Sequence, residues 1–315
     1  MTRFRMIALA GAVLIAAVSG AQAQNYPNQR VTIVVPFGAG SVTDILARIV
    51  AEDMSRRWNQ QVIVENRPGL AGTTAVGKAA NDGYTLMLTS NGHTVAGLVS
   101  KELTVDPVKD FAGITRLASA PLYLITHPSL GAKTVKDVID KAKAQPGTLN
   151  FSSPGLASTT FIAGALFRKT AGINIVHVPF RSAPDAVTAV LRNDVQMYFA
   201  PVNLAKQYSE AGQVVAIAAA TAKRIPDLPN VPTFTEQGLP FVYDSWFGLM
   251  APGGTPQAIR DKVSKDWAAA LQTADVKDKL AKQFVIGVSD TPSAFDETIR
   301  SETANLTRIF KEAGL

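Results

Sequence analysis

The sequence contains no cysteine, which excludes disulfides, thiolate metal sites, cysteine nucleophiles and a lipid-bearing cysteine behind an export signal. Only three histidines are present, His93, His127 and His177. They lie far apart, none has a second histidine or an acid at metal-ligand spacing, and no metal is expected. No G-x-S-x-G turn and no S-x-x-K occurs, so no nucleophilic signature is present; neither enzyme activity nor a cofactor is expected. Runs of Lys or Arg that could track a nucleic acid backbone are missing. So are low-complexity segments and internal repeats, and only the N-terminus carries an apolar run long enough to suggest a membrane.

That N-terminal run spans Met6 to Val18, preceded by Arg3 and Arg5 and followed by Ala21-Gln22-Ala23. A basic start, about a dozen apolar residues and a small-x-small site form a secretory signal, too short to cross a bilayer comfortably. Residues 1–23 are read as a cleaved signal peptide and the mature chain as periplasmic. Its removal takes two arginines and no acid, leaving 29 basic against 25 acidic side chains, a formal +4. Such a mild balance suits anionic small molecules. The chain of 315 residues, 47% hydrophobic, has the length of two domains.

Val31 to Pro36 (VTIVVP) is a β-branched apolar run, the mark of a strand buried on both faces. A helix over Thr43 to Trp58 follows, then a strand at Val62–Glu65, a helix over Thr73–Ala80 and a strand at Tyr84–Thr89. This βαβαβ unit predicts a doubly wound α/β domain. Further on the pattern gives a strand at Leu122–Thr126 and a helix over Val135–Ala144. A second α/β lobe is then built from strands at Leu149–Ser152, Ile173–Val178, Val195–Phe199 and Val214–Ala219, with a helix over Pro184–Leu191. Pro226, Pro229, Pro232 and Pro240 read as an extended linker. Helices are expected from Thr255-Pro256 to about Ala274, with Thr255 as N-cap, and over Ser293–Ala313. The expected lobes are 24–125 with 223–315, and 126–222.

Ligands of open parallel sheets sit beyond the carboxyl ends of the strands. Phe37-Gly38-Ala39-Gly40-Ser41 occupies such a place, and its small residues let a ligand approach the backbone. The helix start then offers unpaired N–H groups and a positive dipole end to a carboxylate or phosphate. The alternative is a plain tight turn with Ser41 or Thr43 as N-cap. Ser152 to Thr160 (SSPGLASTT) repeats the arrangement in the second lobe, and Thr89 to Thr94 (TSNGHT) is a third candidate loop. Gly72 to Ala79 (GTTAVGKA) falls short of a phosphate loop, because alanine stands at the magnesium position and its strand ends seven residues upstream. Arg181 could pair with an anionic ligand or with a neighbouring acid. Phe180 and Trp246 read as core, whereas Phe37 is expected to face the cleft.

VPFGAGSVTDILAR, ENRPGLAGTTAVGKAANDGYTLMLTS, NFSSPGLASTTFIAGALF, VHVPFRSAPDAVTAVLRNDVQMYF, LPNVPTFTEQGLP and WFGLMAPGGTP occur in this order. Together they resemble the periplasmic substrate-binding proteins of tripartite tricarboxylate transporters, the Bug proteins. The resemblance implies a two-lobed periplasmic-binding-protein fold with a hinge, closing on a small organic carboxylate that is passed to membrane permease subunits. A sensing component docking on a signalling receptor is the alternative, and a monomer is expected. Carried over, the contacts are Phe37, Ala39, Gly40 and Ser41; Ser90 and Asn91; Ser153, Ser158 and Thr159; and Arg181, Ala200 and Pro201. Ser41, Val42, Ala157, Phe161 and Phe180-Arg181-Ser182 depart from the family's usual residues. They make the site bulkier and favour an aliphatic or aromatic mono- or dicarboxylate over citrate.

Overall fold

The structure is a computed structural model that describes residues 26–312 apart from 157, 181 and 244. The signal peptide expected at 1–23, Ala157 and Arg181 lie outside the described residues.

The first half runs β1 (Val31–Val35), α1 (Val42–Trp58), β2 (Val62–Asn66), α2 (Leu70–Gly77) and β3 (Thr85–Ser90). A 3₁₀ turn over Asn91–Val95, α3 (Ala96–Val99) and β4 (Phe111–Ser119) follow. The second sheet is made by β5 (Leu122–Thr126), α4 (Val135–Ala144), β6 (Asn150–Ser153), α5 (Thr159–Thr170), β7 (Val176–Pro179), α6 (Ala183–Leu191), β8 (Met197–Pro201), α7 (Val202–Glu210) and β9 (Val215–Ala219). The chain ends with β10 (Trp246–Pro252), α8 (Gln257–Ala270), α9 (Ala274–Ala281), β11 (Ile286–Gly287) and α10 (Pro292–Glu312).

Two sheets result. The first has the order β11-β4-β10-β3-β1-β2, with β1 parallel to both β2 and β3 and β10 antiparallel between β3 and β4. The second has the order β7-β6-β8-β5-β9, with β6 parallel to β7 and β8. Both are flanked by helices, the doubly wound arrangement the alternation predicts. Local chemistry sets the helix starts. Thr134 and Asp137 close a capping box on α4, and Ser182 caps α6 ahead of Pro184. One core joins Ile33, Leu46, Val50 and Trp267. Another joins Leu124, Phe151, Phe167 and Phe199.

Three expectations change. First, β5 pairs with β8 and β9, so the chain leaves the first sheet between Ser119 and Leu122 rather than after residue 125. Second, 225–240 is not a linker. Phe234 and Phe241 are buried in the second core, their rings 4.8 Å apart, and Phe234 donates its amide to Ala219. The prolines forbid helix, but the apolar residues between them still seek burial. The return crossing therefore follows Tyr243, whose amide reaches Ala220, while Ala120 donates to Ser245 across the outgoing strand. Third, α8 begins at Gln257 with Pro256 in the cap position, and the Thr255 hydroxyl is buried with no partner among the described residues. The sequence reading also passed over β4, β10, β11, α7 and α9.

Helix α10 ties the halves together. Phe295 and Ile299 pack with Trp246 under the first sheet, and Leu306 and Phe310 pack into the second core.

Candidate functional site

Strands β3 and β1 are neighbours, so the turn after β1 and the loop after β3 emerge side by side. In the other sheet β6 and β8 are neighbours, which puts the Ser153 turn beside Ala200 and Pro201. The 3₁₀ turn after β3 packs on α5, and Val95 enters the second core. The third candidate loop thus leads into a segment that packs on the second half of the molecule.

In the first turn Gly38, Ala39 and Gly40 are exposed, and Gly40 has φ +79°, a conformation that favours glycine. Ser41 is the N-cap of α1, its hydroxyl accepting from the Asp44 amide at 3.2 Å. The Asp44 carboxylate, nearly fully buried, accepts from the Gly40 amide at 2.9 Å, from Arg48 at 3.0 and 3.1 Å and from Asn66 at 2.9 Å. Burial pushes this carboxyl upward, but the hydrogen bonds from Arg48, Gly40 and Asn66 outweigh it and hold the group below the usual carboxylate range. Among the described residues no acceptor meets the amides of Ala39, Val42 and Thr43. The turn has its N-cap, then, and still keeps donors at the positive end of α1. Phe37 is half-buried with its ring against the first core, so it belongs to the core at least as much as to the cleft.

The second turn is built from hydroxyls. Ser158 caps α5, accepting from Phe161 at 3.1 Å and donating to the Gly155 carbonyl at 2.6 Å. Gly155 has φ +114° and open space around it. Ser153, expected among the contacts, is fully buried. Its hydroxyl bridges both the amide and the carbonyl of Gly155 and lies 2.7 Å from His177 Nε2. It shapes the turn from beneath. Burial lowers the His177 pKa to about 4, so the ring is neutral at pH 7. Thr159 is half-buried at the helix start. Ala200 is buried and Pro201 occupies the cap position of α7, so these two can meet a ligand only through backbone or ring edge.

In the third loop Ser90 and Asn91 are buried. Asn91 Nδ2 donates to the Tyr243 hydroxyl and, at 3.4 Å, to Glu302, whose other oxygen accepts from the Trp246 indole at 2.7 Å. Asn91 Oδ1 has no partner among the described residues. Sequence reasoning named Asn91 but missed Tyr243 and Glu302, which lie 152 and 211 positions away and carry no local signal. His93 Nε2 donates to the Pro107 carbonyl, 2.8 Å away, and burial lowers its pKa to about 4. Among the described residues no group of His, Asp and Glu is placed to hold a metal ion, and no helix is long and apolar enough to cross a membrane.

Comparison with known proteins accounts for this arrangement. The model of the tripartite tricarboxylate transporter family receptor, TctC, matches residues 46–315. Protein BugT of Bordetella pertussis is 30% identical, covering 100% of this chain and 99% of its own length. A UPF0065 protein from the TAR-I ttuE-ttuC' intergenic region of Agrobacterium vitis is 32% identical, with 93% of this chain and 87% of the relative covered. Among solved structures, Rpa4515 of R. palustris with adipate superposes with TM-score 0.79 at 30% identity, covering 92% of this chain and 99% of the other. MatC from Rhodopseudomonas palustris with bound malate gives 0.77 at 28% identity, with 90% and 99% covered. The matched family is one of transporter receptors, and Rpa4515 and MatC were solved with adipate and malate; the present chain shares that solute-binding role rather than an enzyme's. It belongs to the tripartite tricarboxylate transporter receptor family, the Bug-type periplasmic binding proteins.

Proposed function

We propose that the mature protein, exported by its N-terminal signal, captures a small organic carboxylate between the two sheets and delivers it to the permease subunits of a tripartite tricarboxylate-type transporter. The observation that carries this reading is the pair of strand-to-helix turns at Gly38–Ser41 and Gly155–Thr159. Each has a serine N-cap and an open glycine at positive φ. Backbone donors at helix starts hold an anion without a formal cation. The first-turn residues Ala39, Gly40 and Ser41, with Phe37 at the edge, would meet one end of the ligand. Ser158 and Thr159 would meet the other, and Ser90, Asn91, Ala200 and Pro201 would line the space between. Adipate in Rpa4515 and malate in MatC support an aliphatic dicarboxylate as the first candidate.

Ligand that binds only the folded state stabilises it by about 2.7 kcal/mol at a hundred times its Kd. A thermal-shift panel of adipate, malate, citrate and their monocarboxylate counterparts should therefore raise Tm by several degrees for at least one acid. A flat response across the panel overturns the reading. Pull-down of permease subunits from membranes by the ligand-loaded protein, and not by the empty one, tests the delivery step.

A further inference from the structure

A cavity of about 400 Å³ opens at the free edge of the second sheet, beside β7 and between α5 and α10. Its floor is aromatic. Phe151 and Phe161 lie 6.3 Å apart in near-parallel planes, and the His177 ring sits 5.1 Å and 4.5 Å from them. Ile175 and Ile309 complete an apolar wall, both nearly fully buried. Arg168, on the last turn of α5, stands in the lining half-buried. Among the described residues it has no carboxylate partner and no side-chain hydrogen bond.

The place lies behind the second turn: the His177 ring lines the cavity, and its Nε2 reaches Ser153 at the base of that turn, 2.7 Å away. In the register of β6 with β7, Phe151 faces His177 two residues before Ser153, where the cleft turn begins. An apolar chamber of this volume is in the range of small-molecule sites. The Arg168 guanidinium, unpaired among the described residues, supplies the charge at its wall, and a neutral ring such as His177 adds no competing cation or anion.

We propose that this cavity is an accessory site for a small amphipathic carboxylate, an aromatic or branched aliphatic acid. The hydrocarbon body would stack among Phe151, Phe161 and His177, and the carboxylate would pair with Arg168. The site shares His177 with the support of the second turn but takes its carboxylate at Arg168, and it is tested apart from the transport role.

The test uses mature protein and 4-fluorobenzoate, read by methyl NMR at Ile175 and Ile309 and by fluorine line width. Titration should move those two methyl signals saturably, and equally in Gly40→Val, whose cleft is altered. Arg168→Gln should raise the Kd of this event roughly tenfold, by removing a charge-assisted pair. Ala165→Phe, which fills the cavity, should abolish it while leaving the thermal shift given by a cleft acid intact. Unmoved Ile175 and Ile309 signals up to millimolar probe, or a Kd unchanged in Arg168→Gln, overturns the proposal. Saturable shifts that vanish in Gly40→Val also overturn it, because they would assign the probe to the cleft.

Discussion

The two turns proposed to frame the cleft are built by different chemistry. At the first, a buried carboxylate, Asp44, gathers the Gly40 amide, Asn66 and the Arg48 guanidinium around itself. At the second no acid takes part among the described residues. Ser153 and Ser158 bind the two faces of Gly155, and a neutral His177 supports Ser153. An ionised acceptor makes bonds about twice as strong as a hydroxyl does. The first turn is thus a fixed receptacle. The second is held by neutral hydroxyls and is the softer partner. Asp44 is paired with Arg48, and no charged side chain takes part among the described residues of the second turn, so on the proposed reading backbone donors would face the anion at both.

The difference predicts unequal costs. Asp44→Ala has the largest effect, about 3 kcal/mol of stability, since a buried hydrogen-bonded carboxylate leaves several donors without partners. Chemical denaturation measures it. A loss no greater than that from capping the second turn would erase the contrast. Gly40→Val comes next. No atom lies within 4 Å of the added Cβ, so the strain comes from φ +79° alone, at about 1–3 kcal/mol for a branched residue. Affinity for the cleft acid should fall at least tenfold, about 1.4 kcal/mol, by calorimetry. Unchanged affinity would remove the first turn from the site. Ser158→Ala should cost about 1 kcal/mol, the ordinary worth of a lost N-cap, with a smaller loss of affinity than Gly40→Val.

Much of this was legible locally. The apolar run of β1, the serine before Val42 and the small residues between them predict strand, cap and open turn without tertiary information. The same holds for Ser153 to Thr159, because strand-to-helix turns are written in consecutive residues. What escaped was long-range. Nothing near Asn91 announces Tyr243 or Glu302, and Ser153 reads as a ligand hydroxyl until His177 is seen beneath it. β10 is buried at every position, but its WFGLMAP lacks both alternation and a β-branched run, so no period betrays it. The proline-rich stretch misled for the opposite reason. Proline fixes what a segment cannot form, and it is silent on whether the intervening Phe234 and Phe241 are buried.

A further effect separates the turns by pH and is absent at neutrality. His177 has a folded pKa of about 4, below its ordinary value of 6.5, so the unfolded chain binds the proton more readily. Its contribution is complete above 6.5 and is lost as pH falls towards 4. Asp44 is also depressed, below its ordinary 3.8, and its contribution persists above that value and is lost only as pH falls further, through its folded pKa. Acidification should therefore loosen the second turn first. His93, buried with a pKa of about 4, titrates in the same window as His177, so the informative comparison is His177→Gln against the parent protein. The variant should show a shallower decline of unfolding free energy between pH 6.5 and 4, with Asp44→Asn changing the pH slope only below about pH 4. If His177→Gln leaves that upper slope unchanged, the ring is not held neutral by its surroundings. The hydroxyl-built turn would then be no more sensitive to acid than the carboxylate-built one.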